Sequence, residues 1–357
     1  MGSAFIDGRP AELQAACAEA ARLLDRSRLP LIAGLGTDIA GARAAIGLAR
    51  RLGGVIDHMH SDALLRDLDV MREAGVMVTT PGEARVRADV LLLAGPVAPE
   101  ALAPLRAGRE IAEGKKIVWL CPGRGARDAQ VLTIGRDPAA LPAVLAALRA
   151  TIAGRSIGPA PVGAKALATA AAQLAAARFG TAVWSAATLD ALAIEMLCGL
   201  VNDLNANTRF SGLPLPPRDN ALGVLQACGW LTGLPPRTGF GRSIPEHDPW
   251  RFDGVRLVGS GEADCVLWIS AYRAAPPPWR RAVPTIALTG EDARFHQPPR
   301  VHIAVGRPGI DHDAVEYLAS AGSLAWADAA APRGARSVSD ALAAITAALS
   351  GSDVRPC

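Results

Sequence analysis

The feature that most constrains this chain is a strand–helix–strand unit over residues 29–95. It opens with Leu29-Pro30-Leu31-Ile32-Ala33-Gly34-Leu35-Gly36 and closes with Asp89-Val90-Leu91-Leu92-Leu93-Ala94-Gly95. The runs at 31–33 and 90–93 are apolar without alternation, the pattern of a strand covered on both faces. Between them, apolar residues recur at helical spacing over 38–52, and Gly53-Gly54 ends that helix. A short strand follows at 55–57 and a second helix at 62–72. Units of this kind keep their ligands in the loops after the strands. Here the loop after 55–57 reads Ser61-Asp62-Ala63-Leu64, which holds neither a soft metal ligand nor a nucleophile.

The alternation continues along the chain. Apolar spacing predicts a helix over 10–25, with Pro10 in its first turn. Val76–Val78 reads as extended, a helix is expected near 100–113, and strands at 117–121 and 131–134. Helices follow at 138–153, 164–178 and 187–204, with a strand at 181–184. Residues 210–215 read as extended and 221–229 as helical. Later strands fall at 265–270, 285–289 and 302–305, and a last helix at 338–349. Strands alternating with helices imply a mostly parallel sheet covered on both faces. Gly154 to Val162 reads as a linker, and the proline-rich stretches as loops.

With 357 residues, half of them hydrophobic, the chain is long enough for two domains of about 100–200 residues each. Aromatics are only 4%, so the core must be built from Ala, Leu, Val and Ile. The net charge is +3, and no basic run is interleaved with aromatics, so nucleic-acid binding has little support. Of the 37 basic residues only Lys115, Lys116 and Lys165 are lysines. Cys17, Cys121, Cys198, Cys228, Cys265 and Cys357 form no Cys-x-x-Cys pair, so a zinc ribbon or iron–sulfur motif is not expected. No signal peptide and no membrane-length apolar run is read, so a cytoplasmic protein is expected.

Few residues suggest chemistry. Gly34-Leu35-Gly36 opens the first strand–helix turn, but Ile39 stands where the third glycine of a dinucleotide fingerprint belongs; a tight turn alone explains the glycines. Asp57-His58-Met59-His60 places a His-x-His pair at a strand end, where two imidazoles could face one metal, against the plainer reading of a polar loop. Asp311-His312-Asp313 reads as a solvated or interface turn. No Gly-x-Ser-x-Gly, His-Glu-x-x-His or phosphate-loop motif occurs.

These residues resemble the B subunit of formylmethanofuran dehydrogenase, a molybdenum- or tungsten-pterin family within the dimethyl sulfoxide reductase superfamily. The likeness runs through Arg28-Leu29-Pro30-Leu31-Ile32, Gly34, Leu52-Gly53-Gly54-Val55-Ile56-Asp57, Gly82-Glu83 and Arg87-Ala88-Asp89-Val90. It continues through Val201-Asn202-Asp203-Leu204-Asn205, Thr208-Arg209-Phe210, Thr232-Gly233, Phe240-Gly241-Arg242, Gly261-Glu262-Ala263-Asp264 and Gly309-Ile310-Asp311. It covers nearly the whole chain, although each motif is of modest specificity. The resemblance implies two Rossmann-like α/β domains with mostly parallel sheets, as in domains II and III of that superfamily, lacking the iron–sulfur domain. Residues 1–62 with 236–357 would form one domain, and 63–235 an inserted one.

The departures from the family carry the functional expectation. Its metal-ligating Cys-His pair falls, without a gap, on Ala63 and Leu64. Its pterin-holding Asn-Pro turn is replaced after Gly95-Pro96 by Val97-Ala98, and its Asp-Pro turn by Tyr272-Arg273. Alanine cannot ligate molybdenum or tungsten. No molybdopterin, metal or iron–sulfur cluster is therefore expected, and Gly34, Gly36, Gly95, Arg242 and Arg273 are read as a vestigial cleft. The resemblance then implies a non-catalytic scaffold like the B subunit of the bacterial formyltransferase/hydrolase complex. In that complex a formyltransferase subunit and an amidohydrolase-like subunit carry the chemistry, a C subunit accompanies them, and a methanofuran-type carrier could touch the cleft. The rivals are an active molybdenum- or tungsten-pterin protein, a thiamine-diphosphate enzyme domain, for which the Gly-Asp-Gly motif is missing, and a stand-alone sensor.

Overall fold

The computed structural model describes residues 3–106, 114–123, 131–156 and 158–350. In chain order the elements begin β1 Ala4–Ile6, β2 Arg9–Ala11, α1 Leu13–Asp25, β3 Pro30–Gly36, α2 Ile39–Leu52 and β4 Val55–His58. Next come α3 Ser61–Ala74, α4 Pro81–Arg87, β5 Val90–Ala94, α5 Ala103–Arg106, β6 Lys116–Leu120, β7 Val131–Ile134 and α6 Leu141–Ile152. They continue with α7 Ala164–Ala175, β8 Gly180–Trp184, α8 Ala191–Leu204, β9 Phe210–Pro214, α9 Ala221–Thr232, β10 Thr238–Gly239 and β11 Glu246–His247. The chain ends with α10 Gly254–Ser260, β12 Cys265–Ser270, β13 Thr285–Thr289, β14 Val301–Ala304, β15 Ala314–Leu318, β16 Ser323–Ala327 and α11 Val338–Ser350. The fold is α/β with largely parallel sheets.

Two compact units emerge: Met1–Ser61, Arg218–Tyr317 and Leu324–Cys357 in one, Asp62–Pro217 and Leu318–Ser323 in the other. The segment 218–235, read from the resemblance as part of the inserted domain, lies in the first unit. The reason is that the buried side of α9 (Val224, Ala227, Cys228) joins the core under α2 and β3.

Each unit is built on five parallel strands in the same spatial order. In the first it is β4-β3-β12-β13-β14, within a nine-stranded sheet; in the second it is β9-β8-β5-β6-β7. Helix packing matches as well: α11 lies on α1 and α2, while α6 lies on α7 and α8. Within these five strands only the chain order differs, because the first set begins at β3 and the second at β5. The two units are thus circular permutations of one arrangement.

The same side-chain device starts both sheets. Asp264, just before β12, accepts hydrogen bonds from the amides of Arg28 (3.0 Å) and Leu29 (3.2 Å), and from the Ser27 hydroxyl, just before β3. Asp89, just before β5, accepts from the amides of Arg178 (3.0 Å) and Phe179 (3.1 Å), just before β8. Each carboxylate satisfies backbone amides in the turn between a helix and the strand that follows it.

Alanine dominates the helix faces: Ala16, Ala20, Ala42, Ala45 and Ala49 are fully buried, which lets α1 and α2 lie close on the sheet with few aromatics to fill the space. Asp38 caps α2, as its place before the helical run suggests, accepting from the Gly41 amide at 3.0 Å. Pro10 does not begin α1. It sits in β2, paired opposite Phe5 on the sheet edge, where its missing amide costs nothing. The expected helix near 100–113 contains α5 after a short 3-10 turn at Pro99–Leu102, and the rest lies outside the described residues. Among the described residues no helix is long and apolar enough to cross a membrane.

The two strand-start aspartates yield a paired expectation. Asp264→Ala and Asp89→Ala should each lower stability by about 1 kcal/mol, the effect of losing bonds to one half-buried and one exposed amide. The losses should add in the double variant, since the sites share no partner. Burial tends to raise each carboxyl, but the hydrogen bonds outweigh it and hold both below the ordinary range. The contribution should therefore be complete above about pH 4 and disappear as pH falls below it. Urea unfolding of the three variants at pH 7 and in acid tests both points.

Candidate functional site at the carboxyl end of the first sheet

In open α/β sheets ligands bind outside the carboxyl ends of the strands, where the strand order reverses. In the first unit that point lies between β3, which leads through α2 to β4 on one side, and β12, which leads to β13 on the other. The backbone there is crowded. Gly34 has φ +81°, and a Cβ on it would stand 2.4 Å from the Ile269 carbonyl oxygen, where the β3–β12 register shifts. Gly36 lies against Met59 and the Cβ of Asp219. Close approach of backbone thus requires glycine at 34, while Gly36 leaves room for the Met59 side chain. The first turn of α2 already holds the buried carboxylate of Asp38, which disfavours a phosphate at that helix end.

The polar centre of the site is Asp219. Its carboxylate accepts from Arg273 Nε at 2.9 Å, from Arg273 Nη2, and from His60 Nε2 at 2.8 Å. His60 follows β4 and Arg273 follows β12, so Asp219 bridges two strand ends. Its carbonyl oxygen lies 3.3 Å from His58 Nε2, while His58 Nδ1 accepts from the His60 amide at 3.0 Å. That pattern assigns His58 the neutral tautomer protonated at Nε2. Burial, and then the neighbouring His60, pushes His58 down to about 3, so it stays uncharged. Burial would raise Asp219, but the hydrogen bonds from His60 and Arg273 prevail and hold it at about 2.

Asp219 and Asn220 both adopt left-handed backbone, φ +60° and +55°. Asn220 locks the turn. Its amide nitrogen donates to the Thr37 carbonyl at 2.9 Å, and its side-chain oxygen accepts from the Tyr317 amide at 2.8 Å. Beside Arg273 opens a cavity of about 740 Å3 over the ends of β12 to β14, lined also by Arg307 and Arg333 and by the acidic Glu291, Asp292 and Asp311, with Arg333 3.6 Å from Asp311.

The expected cleft residues do not all converge. Gly34, Gly36 and Arg273 come together. Arg242 does not: β10 runs antiparallel to β4, with Gly239 opposite Val55, so Arg242 lies beyond the amino end of β4. It is exposed and paired with Glu246 at 3.2 Å. Gly95 belongs to the second unit, where a Cβ would meet the Leu189 side chain at 2.4 Å. Ala63 and Leu64 are not in an open loop. They occupy the first turn of α3 with 6% and 3% exposure.

The His-x-His pair does not converge on a metal position, since His58 donates to a backbone carbonyl and His60 to Asp219. Among the described residues no three His, Cys, Asp or Glu side chains are arranged to hold a metal. Asp57 is buried and structural: Oδ2 accepts the Gly254 amide at 2.8 Å, with Arg237 3.5 Å away. Burial pushes it up to about 6 despite Arg237. In Asp311-His312-Asp313, Asp311 accepts the Arg307 amide at 2.7 Å and His312 bonds the Asp313 carbonyl, so the cluster holds its own turn. Cys17, Cys121, Cys198, Cys228 and Cys265 are all buried, and burial raises their thiols, to about 12 for Cys228 and Cys265. Cys357 lies outside the described residues. Asp219-Asn220 was missed in the sequence; the available signal was two residue types tolerant of left-handed backbone directly after Pro216-Pro217-Arg218.

Removing the Asp219 carboxylate should be costly. Asp219→Ala is expected to lower stability by about 2 kcal/mol, less than a fully buried pair because Arg273 is 40% exposed. The wild-type contribution should persist above about pH 4 and fade as pH falls toward the depressed Asp219 value. Thermal unfolding across pH 2–7 measures both.

No protein-family model matches the chain. It is 35% identical over 339 residues to the Fhc B subunit of the formyltransferase/hydrolase complex of Methylorubrum extorquens, covering 92% of each chain. It is 25% identical over 345 residues to the B subunit of the tungsten-containing formylmethanofuran dehydrogenase 2 of Methanocaldococcus jannaschii, covering 87% of this chain and 77% of that one. A chain in the crystal structure of the formyltransferase/hydrolase complex FhcABCD from Methylorubrum extorquens, in complex with methylofuran, is also similar. It superposes with a TM-score of 0.88 at 34% identity, covering 99% of this chain and 100% of that one. The chain therefore belongs to the family of the formyltransferase/hydrolase complex B subunit, with the formylmethanofuran dehydrogenase B subunit as a more distant relative.

Proposed function

We propose that this chain is a non-catalytic scaffold subunit of a formyltransferase/hydrolase complex that carries formyl groups from tetrahydromethanopterin to formate through a methanofuran-type carrier. The observation that carries this reading is the burial of Ala63 and Leu64 in the first turn of α3. The resemblance puts a Cys-His metal-ligand pair at these positions, and here Ala63 packs with Val70 in the second unit's core. Neither side chain can donate to a metal, and the turn is closed by packing. The residues present do not fit a molybdenum or tungsten pterin, and no redox step is assigned. The thiols buried and raised throughout the described chain support the same reading.

The two permuted units correspond, in this reading, to domains II and III of the dimethyl sulfoxide reductase superfamily. The formyltransferase, amidohydrolase-like and C subunits are the partners. An anionic segment of the carrier would meet Arg273, Arg307 and Arg333 at the 740 Å3 cavity. Arg242, at the other end of β4, takes no part.

Two measurements test the proposal. Co-expressed with the other subunits, the chain should co-purify with them, and the complex should hold well under one molybdenum or tungsten per copy by elemental analysis; stoichiometric metal would overturn the reading. Arg307→Ala with Arg333→Ala should weaken carrier retention roughly tenfold, as loss of charge-assisted contacts does, while leaving assembly intact. Unchanged retention would remove the carrier contact.

A further inference from the structure

Helix α9 is apolar on two sides. From Ala221 to Pro236 the chain carries no charged residue, and α9 is the only described helix of eight or more residues without one. Its inner stripe, Ala221, Val224, Ala227 and Cys228, is buried in the first unit's core. A second stripe follows at the spacing of one helix face: Leu222, Leu225, Gln226, Gly229 and Trp230. This stripe is half-buried to exposed, with Trp230 67% and the adjoining Leu231 45% accessible. The other surface helices of this unit place arginine or acidic residues on their outer faces, as α2 does with Arg43, Arg50 and Arg51. A helix that is hydrophobic all round is a buried helix, so the outer stripe is half of an interface.

Charge names the kind of partner. A charged surface laid on this stripe would lose its water with no counter-charge along the whole helix, so the complementary surface is itself uncharged and apolar. Gly229, beside the Trp230 ring, lets a second helix approach to the close packing distance of about 8–10 Å. A largely apolar stripe that ends in an exposed tryptophan suits a permanent subunit contact. We infer that the outer stripe of α9 docks an uncharged helical face of another subunit of the formyltransferase/hydrolase complex. This inference rests on the proposed membership of that complex.

The test is co-expression of the tagged chain with the other subunits, comparing wild type with Leu225→Glu/Trp230→Glu. The expected result is at least about a tenfold loss of co-purifying partner, the scale of an aromatic anchor, with the variant's circular dichroism and Tm unchanged. Trp230→Phe should retain assembly. If the double variant misfolds, Trp230→Ala, which touches only the exposed end of the stripe, gives the same comparison. Equal assembly of wild type and variants overturns the inference while leaving complex membership standing. A homodimer of the isolated chain, broken by the same substitutions with hetero-assembly intact, assigns the stripe to a second copy and also overturns it. Failure of the wild type itself to co-purify overturns the proposed function first, and this inference with it.

Discussion

The pairing of β3 with β12 is the contact on which the first unit depends. It joins Pro30–Gly36 to Cys265–Ser270 across an intervening second unit, so the sheet closes only when the chain has returned from a long excursion. Parallel strands have no hairpin to set their register. Asp264 supplies part of what a hairpin would: one carboxylate, anchored immediately before β12, collects the donors immediately before β3. In the second unit Asp89 does the same between β5 and β8, with far fewer intervening residues. The device tolerates permutation of the chain because it acts between strand starts that are adjacent in space, whatever their order in sequence.

That pairing also creates the site. Where β3 and β12 diverge at their carboxyl ends, Gly34 permits the Ile269 carbonyl to approach, and the strand ends deliver His60 and Arg273 to one place. A guanidinium and an imidazole there attract an anion. Asp219 supplies it from within the chain. Two consecutive left-handed residues cost about 1–2 kcal/mol each, less for Asp and Asn than for other types. The charge-assisted hydrogen bonds from Arg273 and His60 are each worth about 1.5–3 kcal/mol, and Asn220 adds two neutral ones. These bonds offset the strain of the turn and the desolvation of its buried carboxylate.

Much of this was legible from residues alone, and the limits are physical. Fully covered parallel strands must be apolar on both faces, so β3, β5, β8, β12 and β13 stand out as uninterrupted runs. The α2 boundaries follow from Asp38 and Gly53, which act on adjacent backbone. Arg242 was misplaced because a loop arginine carries no sign of which end of a strand it will reach; the antiparallel β10 decides that. Asp219 was missed because its partners lie 54 and 159 residues away, and its value exists only once two strand ends have been assembled. Pro10 was placed on a helix because its fixed φ suits both a first helical turn and an edge strand.

Ala63 and Leu64 show why residue identity and residue environment answer different questions. Their identity alone says that a ligand pair is missing, which leaves room for a substitute donor nearby. Their environment narrows that room. Both side chains are buried at the start of α3, and one turn on, Asp67 is buried as well. Its Oδ1 is taken by Trp184 Nε1 at 2.7 Å, and burial raises the carboxyl to about 6. One oxygen of that carboxylate is thus already engaged within the fold. Restoring cysteine and histidine at 63 and 64 would place two polar groups at buried positions. In this reading the first turn of α3 serves packing, and the chain's remaining contribution to a complex lies in the surfaces it presents.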